Sequence, residues 1–278
     1  MKKTTILFLM GALISFLLAS CTLFSHLRSQ GSPGTYSMKA GCRAVIDGMN
    51  SLHSSKEIPP HLMEYSAYYE PGDFDPNEYF TVLNHLHMKT GETLDYLYYY
   101  SDMGGHPMVY NRSINSAPFR SETELYDSLS ATEEDEPYNE ALYPPTIYMH
   151  AVEVDQSPES YFQYISLTTL GEQFYLYWHA NYNDTTIICD QSDLNLISQD
   201  LADFLDLSLP EETLQKAAQI DFTPTVTINA DNVVVRWVEF TKWGGFLEKK
   251  VTLSKDNPIK ILGGEITTLV EYDCGVAF

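Results

Sequence analysis

Positively charged side chains are scarce in this sequence. Its 278 residues include 16 Lys and Arg against 38 Asp and Glu, a formal net charge of −22 at pH 7. No Lys or Arg lies between Arg120 and Lys216. Nucleic acids attract proteins mainly through Lys and Arg, so we expect no nucleic-acid partner. The acidic stretch suits a solvated surface, with a cation site or a face for a basic partner as the alternatives.

Short linear motifs of catalysis are also missing. The sequence has no Gly-x-Ser-x-Gly elbow, no glycine-rich phosphate loop and no His-Glu-x-x-His helix, and we expect no cofactor. The densest polar cluster is WHANYND, in which Asp184 could orient His179 as a general base. No nucleophile accompanies the pair. A hairpin turn with His179 bonded inside the sheet is the simpler interpretation.

Two patterns imitate metal sites, and we reject both. Residues 75–78 (DPNE) start a helix by their capping pattern, and the apolar spacing predicts that it continues to about residue 88. On a helix, His85 and His87 diverge and cannot share an ion. The second pattern resembles the start of a calcium loop, but Glu78 stands where glycine is needed. Its candidate ligands would be Asp73, Asp75 and Asn77.

The N-terminus carries the one specific signal. Lys2 and Lys3 precede an apolar run over residues 6–18, which ends in Leu18-Ala19-Ser20-Cys21. These four residues resemble the lipobox of bacterial lipoproteins. The resemblance implies cleavage before Cys21, a diacylglyceryl group on its thiol and an acyl chain such as palmitate on its amino group. Two or more acyl chains hold a protein stably on a membrane.

Two alternatives for this segment fit less well. An ordinary secretory signal needs a small residue where Leu18 stands. An uncleaved membrane span over residues 6–24 is weakened by Gly11 and Ser15 and by the closely following His26. Thr22 follows the cysteine where some Gram-negative lipoproteins carry a retaining aspartate. The resemblance therefore favours the outer membrane or the cell surface, if the host has two membranes.

Only four cysteines are present. With Cys21 lipidated, the remaining three allow one disulfide in an exported protein. Cys189 and Cys274 both lie in strand-like sequence near the C-terminus, and we expect them to pair. Cys42 would then stay free.

The remaining pattern predicts an α+β fold, with antiparallel hairpins and a meander to which a few helices are appended. We expect a signal peptide over residues 1–20, a flexible tether over 21–38 and a globular region over 39–278, with a subdivision near 128–145 as an open alternative. Helices are predicted over residues 40–52, 193–207 and 208–220. Strands are predicted over 93–101, 147–154, 161–168, 174–181 and 266–272, with a meander over 224–260.

Aromatic residues supply a further candidate site. Tyr96, Tyr98 and Tyr100 share one face of the predicted strand, and an exposed row of this kind could stack on sugars or hold a peptide. Half-buried sheet packing is the competing interpretation.

Three functions remain open for the chain. The first is a lipid-anchored binding module of the cell envelope, whose protein or small-molecule partner the sequence does not name. The second is an envelope hydrolase with a site near His179, and the third is a structural surface lipoprotein without a dedicated site.

Overall fold

The computed structural model describes residues 31–54, 57–64, 67–130, 147–179 and 185–275. Within these ranges every strand pairs antiparallel with its neighbours, and helices are inserted between the strands. The predicted α+β class is therefore confirmed. No helix among the described residues is both long enough and apolar enough to span a bilayer.

The elements follow one another in a mixed order. The strands are β1 (Gly34–Ser37), β2 (Ala67–Tyr68), β3 (Leu86–Met88), β4 (Glu92–Ser101), β5 (Gly104–Ser113), β6 (Val152–Val154), β7 (Tyr177–Trp178), β8 (Thr186–Ile188), β9 (Thr225–Ile228), β10 (Asn232–Thr241), β11 (Gly245–Ser254) and β12 (Ile261–Val270). The helices are α1 (Lys39–Ser54), α2 (Tyr79–Val82), α3 (Glu122–Ser130), α4 (Pro158–Leu170), α5 (Asp193–Leu205) and α6 (Glu211–Ala217).

The largest sheet has the strand order β1-β9-β10-β11-β12, and β8 pairs with β10. Strands β9 and β8 share one edge of β10, because β9 pairs with residues 233–236 and β8 with residues 238–240. The predicted C-terminal meander is thus confirmed. The chain turns sharply into β11 at Gly245, whose φ of 77° favours glycine.

Helices cover both faces of β10. Successive side chains of a strand point to opposite faces, and β10 has apolar side chains on each face to bury. On one face, Val235 and Trp237 are fully buried in a cluster with side chains of α1 and α4. On the other, Val238 and Phe240 are buried against side chains of α5. The chain therefore buries a sheet between two helical layers.

A second sheet has the order β2-β4-β5-β7, and β3 pairs with β6 in a two-stranded sheet. The predicted strand over residues 93–101 is confirmed as β4. The helix predicted from residues 75–78 to about residue 88 is too long, because α2 ends at Val82 and β3 begins at Leu86. His87 therefore lies on a strand, opposite Glu153. The reason given above for separating His85 from His87 was wrong.

Helix α4 corrects another prediction. Residues 161–168 were expected to form a strand, and they lie inside a helix that is buried on nearly all sides. Its first turn has the features of a helix start, because Pro158 is the first residue and the Ser157 hydroxyl accepts the N–H of Ser160 at 3.2 Å. A helix buried on nearly all sides, with its polar residues spread around it, has no polar stripe that periodicity can detect.

The C-terminal part of the predicted tether over residues 21–38 is ordered, because Gly34–Ser37 forms β1 and pairs along β9. Residues 21–30 lie outside the described residues. The subdivision proposed near residues 128–145 falls mostly on residues 131–146, also outside the described ranges. The largest cluster of buried side chains draws on residues before and after this segment, from Met38 to Ile259.

The disulfide joins Cys42 to Cys189, with Cα atoms 5.7 Å apart, and the predicted Cys189–Cys274 pair is wrong. Cys274 is a buried free thiol. Ile188 lies opposite Val238 on β10, whereas the N–H of Cys274 bonds the carbonyl of Lys242. About four residues of strand separate these positions, roughly 14 Å, which a disulfide cannot span.

Candidate functional site: a cleft between two helices

A cleft of about 600 Å³ separates α1 from α5. Ligand sites of small molecules have volumes in this range. Its walls are one face of each helix, and its floor is formed by residues 173–176 and 185–187. The α1 residues stand three or four positions apart, which places them on one side of a helix. They are Arg43, Ile46, Asp47, Asn50 and His53.

The floor of the cleft mixes apolar and polar side chains, and its rim is polar. Phe174 and Ile187 are buried at the floor, with a glutamine and two threonines beside them. Asp47 and Asn50 are exposed on the α1 rim. Across from them on α5, Leu196 is 56% exposed, which makes it an apolar side chain at the mouth. A cleft that places a few polar groups among apolar side chains is typical of binding sites for small organic ligands.

One end of the cleft is fixed by a disulfide and an ion-pair cluster. The bond between Cys42 and Cys189 ties α1 to the segment that leads into α5. The guanidinium of Arg43 pairs with Asp193, and it lies 3.2 Å from a carboxylate oxygen of Asp190. Walls linked in this way lose little freedom when a ligand binds, so the cleft is pre-organised.

Asp193 is buried, although helical spacing puts it on the polar side of α5 with Asp200 and Asp203. Its side chain is only 5% exposed. It accepts the N–H of Cys189 at 2.8 Å and that of Asp190 at 3.3 Å, in addition to pairing with Arg43. These partners in the segment before the helix and on α1 compensate the charge that burial removes from water.

His53 lies at the other end of the cleft. Its Nε2 is 2.8 Å from the hydroxyl of Tyr79, and that hydroxyl donates to the carbonyl of Gly171 at 2.9 Å. The single hydroxyl proton is thus committed, so Nε2 of His53 donates and Nδ1 keeps its lone pair. Burial lowers the pKa of His53 to about 4. The cleft therefore contains a neutral imidazole at pH 7.

The floor contains one bulky residue in the left-handed region, Tyr175 with φ 54°. Such a conformation costs on the order of 1–3 kcal/mol and persists where the surroundings fix it. The Tyr175 hydroxyl accepts the N–H of Phe74 at 3.0 Å, and its carbonyl accepts the hydroxyl of Tyr98 at 2.6 Å. Strain of this kind is concentrated at functional sites, and the strain at Tyr175 lies in the floor of the cleft.

His179 is not among the described residues that line this cleft. Its ring lies 4.4 Å from that of Trp178, and Trp178 pairs with Gly104 on β5. Asp184, the orienting group predicted for His179, lies outside the described residues. The described lining of the cleft also contains no Ser or Cys that could act as a nucleophile.

A Ser–His–Asp cluster lies elsewhere, between β3 and the start of α4. Nδ1 of His85 is 2.8 Å from Asp155 and 3.2 Å from the hydroxyl of Ser157. In a catalytic triad the carboxylate and the serine contact opposite ring nitrogens. Here both contact the same nitrogen, and the Ser157 hydroxyl also caps α4 and donates to Asp155 at 2.6 Å. The cluster is a helix cap rather than a triad.

The predicted tyrosine row is buried. Tyr96 and Tyr98 are 0% and 1% exposed, and Tyr100 packs against the same core. The opposite face of β4 carries the exposed aromatic residue Tyr99, whose ring is 5.3 Å from that of His106. The sequence could not identify the outward face, because both faces of β4 are rich in tyrosine and leucine.

Comparisons of the chain with protein-family models, with curated proteins and with solved structures gave no match.

Proposed function

We propose that this chain is a lipid-anchored binding protein of the bacterial cell envelope, and that the cleft between α1 and α5 holds a small ligand with an apolar body. The cleft itself supports the proposal most strongly, because it combines a ligand-sized volume with apolar side chains in its floor and at its mouth. Attachment rests on Leu18-Ala19-Ser20-Cys21. The acyl chains keep the protein on the membrane, because anionic head groups repel the acidic domain.

Binding is favoured over hydrolysis by what the cleft presents. Its neutral imidazole, His53, is hydrogen-bonded to Tyr79, and its arginine is occupied by Asp190 and Asp193. Phe174, Leu176 and Ile187 supply the apolar part of the floor between them. These groups fix and desolvate a ligand.

The cleft is tested with N-phenyl-1-naphthylamine, a neutral fluorophore that brightens in apolar surroundings. We expect saturable binding of one probe per chain. Leu196→Gln removes an apolar contact at the mouth and should weaken binding about fivefold, which corresponds to about 1 kcal/mol of lost apolar burial. The matched control is Leu262→Gln on β12, since Leu262 is 57% exposed and Leu196 is 56% exposed. Absence of saturable binding, or equal loss in both variants, contradicts the proposal.

Attachment is tested in a bacterium that expresses the full chain. Cys21→Ser should move the protein from the membrane fraction to the soluble fraction and abolish incorporation of labelled palmitate. Cys42→Ser is the control, because Cys42 lies outside the lipobox and should still be labelled at Cys21. If Cys21→Ser is recovered with membranes and labelled by palmitate as strongly as wild type, the proposed lipid attachment at Cys21 is wrong.

A further inference from the structure

The charges around the cleft are predominantly negative. Three carboxylates line it, those of Asp47, Asp193 and Asp200, and Arg43 is the only basic side chain other than His53 among its described residues. Arg43 faces two carboxylates, those of Asp190 and Asp193, so its charge is already compensated. An anionic ligand would therefore find no free positive charge in the described lining.

Asp47 is the uncompensated carboxylate. It is exposed on the α1 rim, and it forms no ion pair with any described residue. On the α5 wall, Asp200 is 3.9 Å from the ammonium of Lys242, a side chain 5% exposed that also borders a small adjoining cavity. Among the described residues, the cleft mouth thus presents one carboxylate without an ion pair and one partly compensated carboxylate, above a floor that includes Phe174, Leu176 and Ile187.

This arrangement matches an amphiphilic cation. A charge at the mouth is less screened by water than one on an open surface, because the floor and helical walls are of low dielectric. The net charge of −22 further raises the local concentration of cations near the protein.

We infer that the ligand of this cleft is an organic ammonium, with its apolar body on the floor between α1 and α5 and its positive charge beside Asp47 and Asp200. This inference rests on the proposed function of the cleft. It names the class of ligand that a binding cleft of this charge would select.

The experiment is a displacement series against N-phenyl-1-naphthylamine with three competitors of equal chain length, each below its micellar concentration. They are octylammonium, octanol and octanoate. We expect octylammonium to displace the probe at about one tenth of the concentration that octanol requires, and octanoate to be the weakest. The preference for octylammonium over octanol should shrink at 0.5 M NaCl, because salt screens the attraction.

Two variants that each remove one carboxylate test where the positive charge of the ligand lies. Asp47→Asn should reduce the preference for octylammonium about threefold to fivefold and leave displacement by octanol unchanged. Asp203→Asn removes the same charge from an exposed position of α5 outside the described lining, and it should change neither competitor.

Equal displacement by the three competitors, or equal effects of the two variants, overturns the ammonium assignment while probe binding still supports a ligand cleft. Absence of probe binding removes the cleft function itself. If octanoate displaces half of the probe at a lower concentration than octylammonium does, the cleft selects anions and the ammonium assignment is wrong.

Discussion

Replacing Glu172 by Gln should make the stability of the protein less dependent on pH. Glu172 follows α4, and its Oε1 accepts the N–H of Val109 on β5 at 2.9 Å. The residue as a whole is partly exposed, but its carboxyl group is withdrawn from water beneath the sheet edge. This burial raises the pKa of Glu172 from 4.5 to about 7, with the hydrogen bond from Val109 acting in the opposite direction.

The size of the effect follows from that pKa. A shift from 4.5 to about 7 corresponds to roughly 3 kcal/mol, at 1.36 kcal/mol per unit. The folded state binds the proton more tightly than the unfolded state, so the stabilisation is complete below pH 4.5 and is lost as pH rises through 7. Gln carries no charge and keeps an oxygen for the N–H of Val109. We therefore expect the variant to gain about 3 kcal/mol over wild type between pH 4.5 and pH 8.

The comparison must be made between proteins rather than along one pH curve, because His53 acts in the opposite sense. Burial lowers the pKa of His53 to about 4, so the unfolded state binds the proton more tightly there. Its contribution to stability is present above pH 6.5 and is lost as pH falls through 4. Between pH 4 and pH 7 the two groups change the free energy of unfolding in opposite directions, so a pH curve of wild type alone would show neither contribution clearly.

Urea unfolding of wild type and Glu172→Gln at pH 4.5, 6 and 8 measures the difference. Glu271→Gln, at an exposed position after β12, controls for the loss of one negative charge. The free energy of unfolding of that control should follow wild type at every pH. A Glu172→Gln difference that stays constant from pH 4.5 to 8 would show that the carboxyl group is well solvated, and would refute the reasoning.

Two further predictions concern the fixed end of the cleft. The double substitution Cys42→Ser with Cys189→Ser should lower the free energy of unfolding by ~2–5 kcal/mol, because the bond closes a loop of 147 residues. Dithiothreitol should lower the thermal midpoint of wild type and leave that of the double variant unchanged; equal effects would argue against the bond. Asp193→Asn removes the charge that pairs with Arg43 and weakens the hydrogen bonds to the N–H groups before α5. It should lower the free energy of unfolding in urea by ~2–3 kcal/mol, whereas Asp203→Asn should change it by no more than ~0.5 kcal/mol. Equal losses would contradict a special role for Asp193.

Elements with strong local signals were predictable from sequence. Helix α5 was predicted because Leu194, Ile197 and Leu201 recur at helical spacing, and all three are buried. The C-terminal meander was predicted because its turns carry turn-forming residues between β-branched runs. Both predictions needed only residues that are close together in the chain.

Predictions failed where long-range packing outweighs local preference. Tyr161, Phe162 and Ile165 suggested a strand, yet they lie in a helix that the surrounding layers bury on nearly every side. The segment after Val82 turns into a strand because Leu86 finds a partner at Val154, far away in sequence. Strand pairing of this kind carries no signal within either segment.

The sequence by itself determined the acidic character of the chain and the presence of a lipobox-like signal before Cys21, since both are properties of residue type and local order. The cleft was decided only by the tertiary structure. Its two walls are separated by more than 130 residues of chain, and Cys42 and Cys189 meet across a separation of 147. Asp47 on α1 and Leu196 on α5 gain a shared role only because the tertiary fold brings one face of each helix to the same cleft.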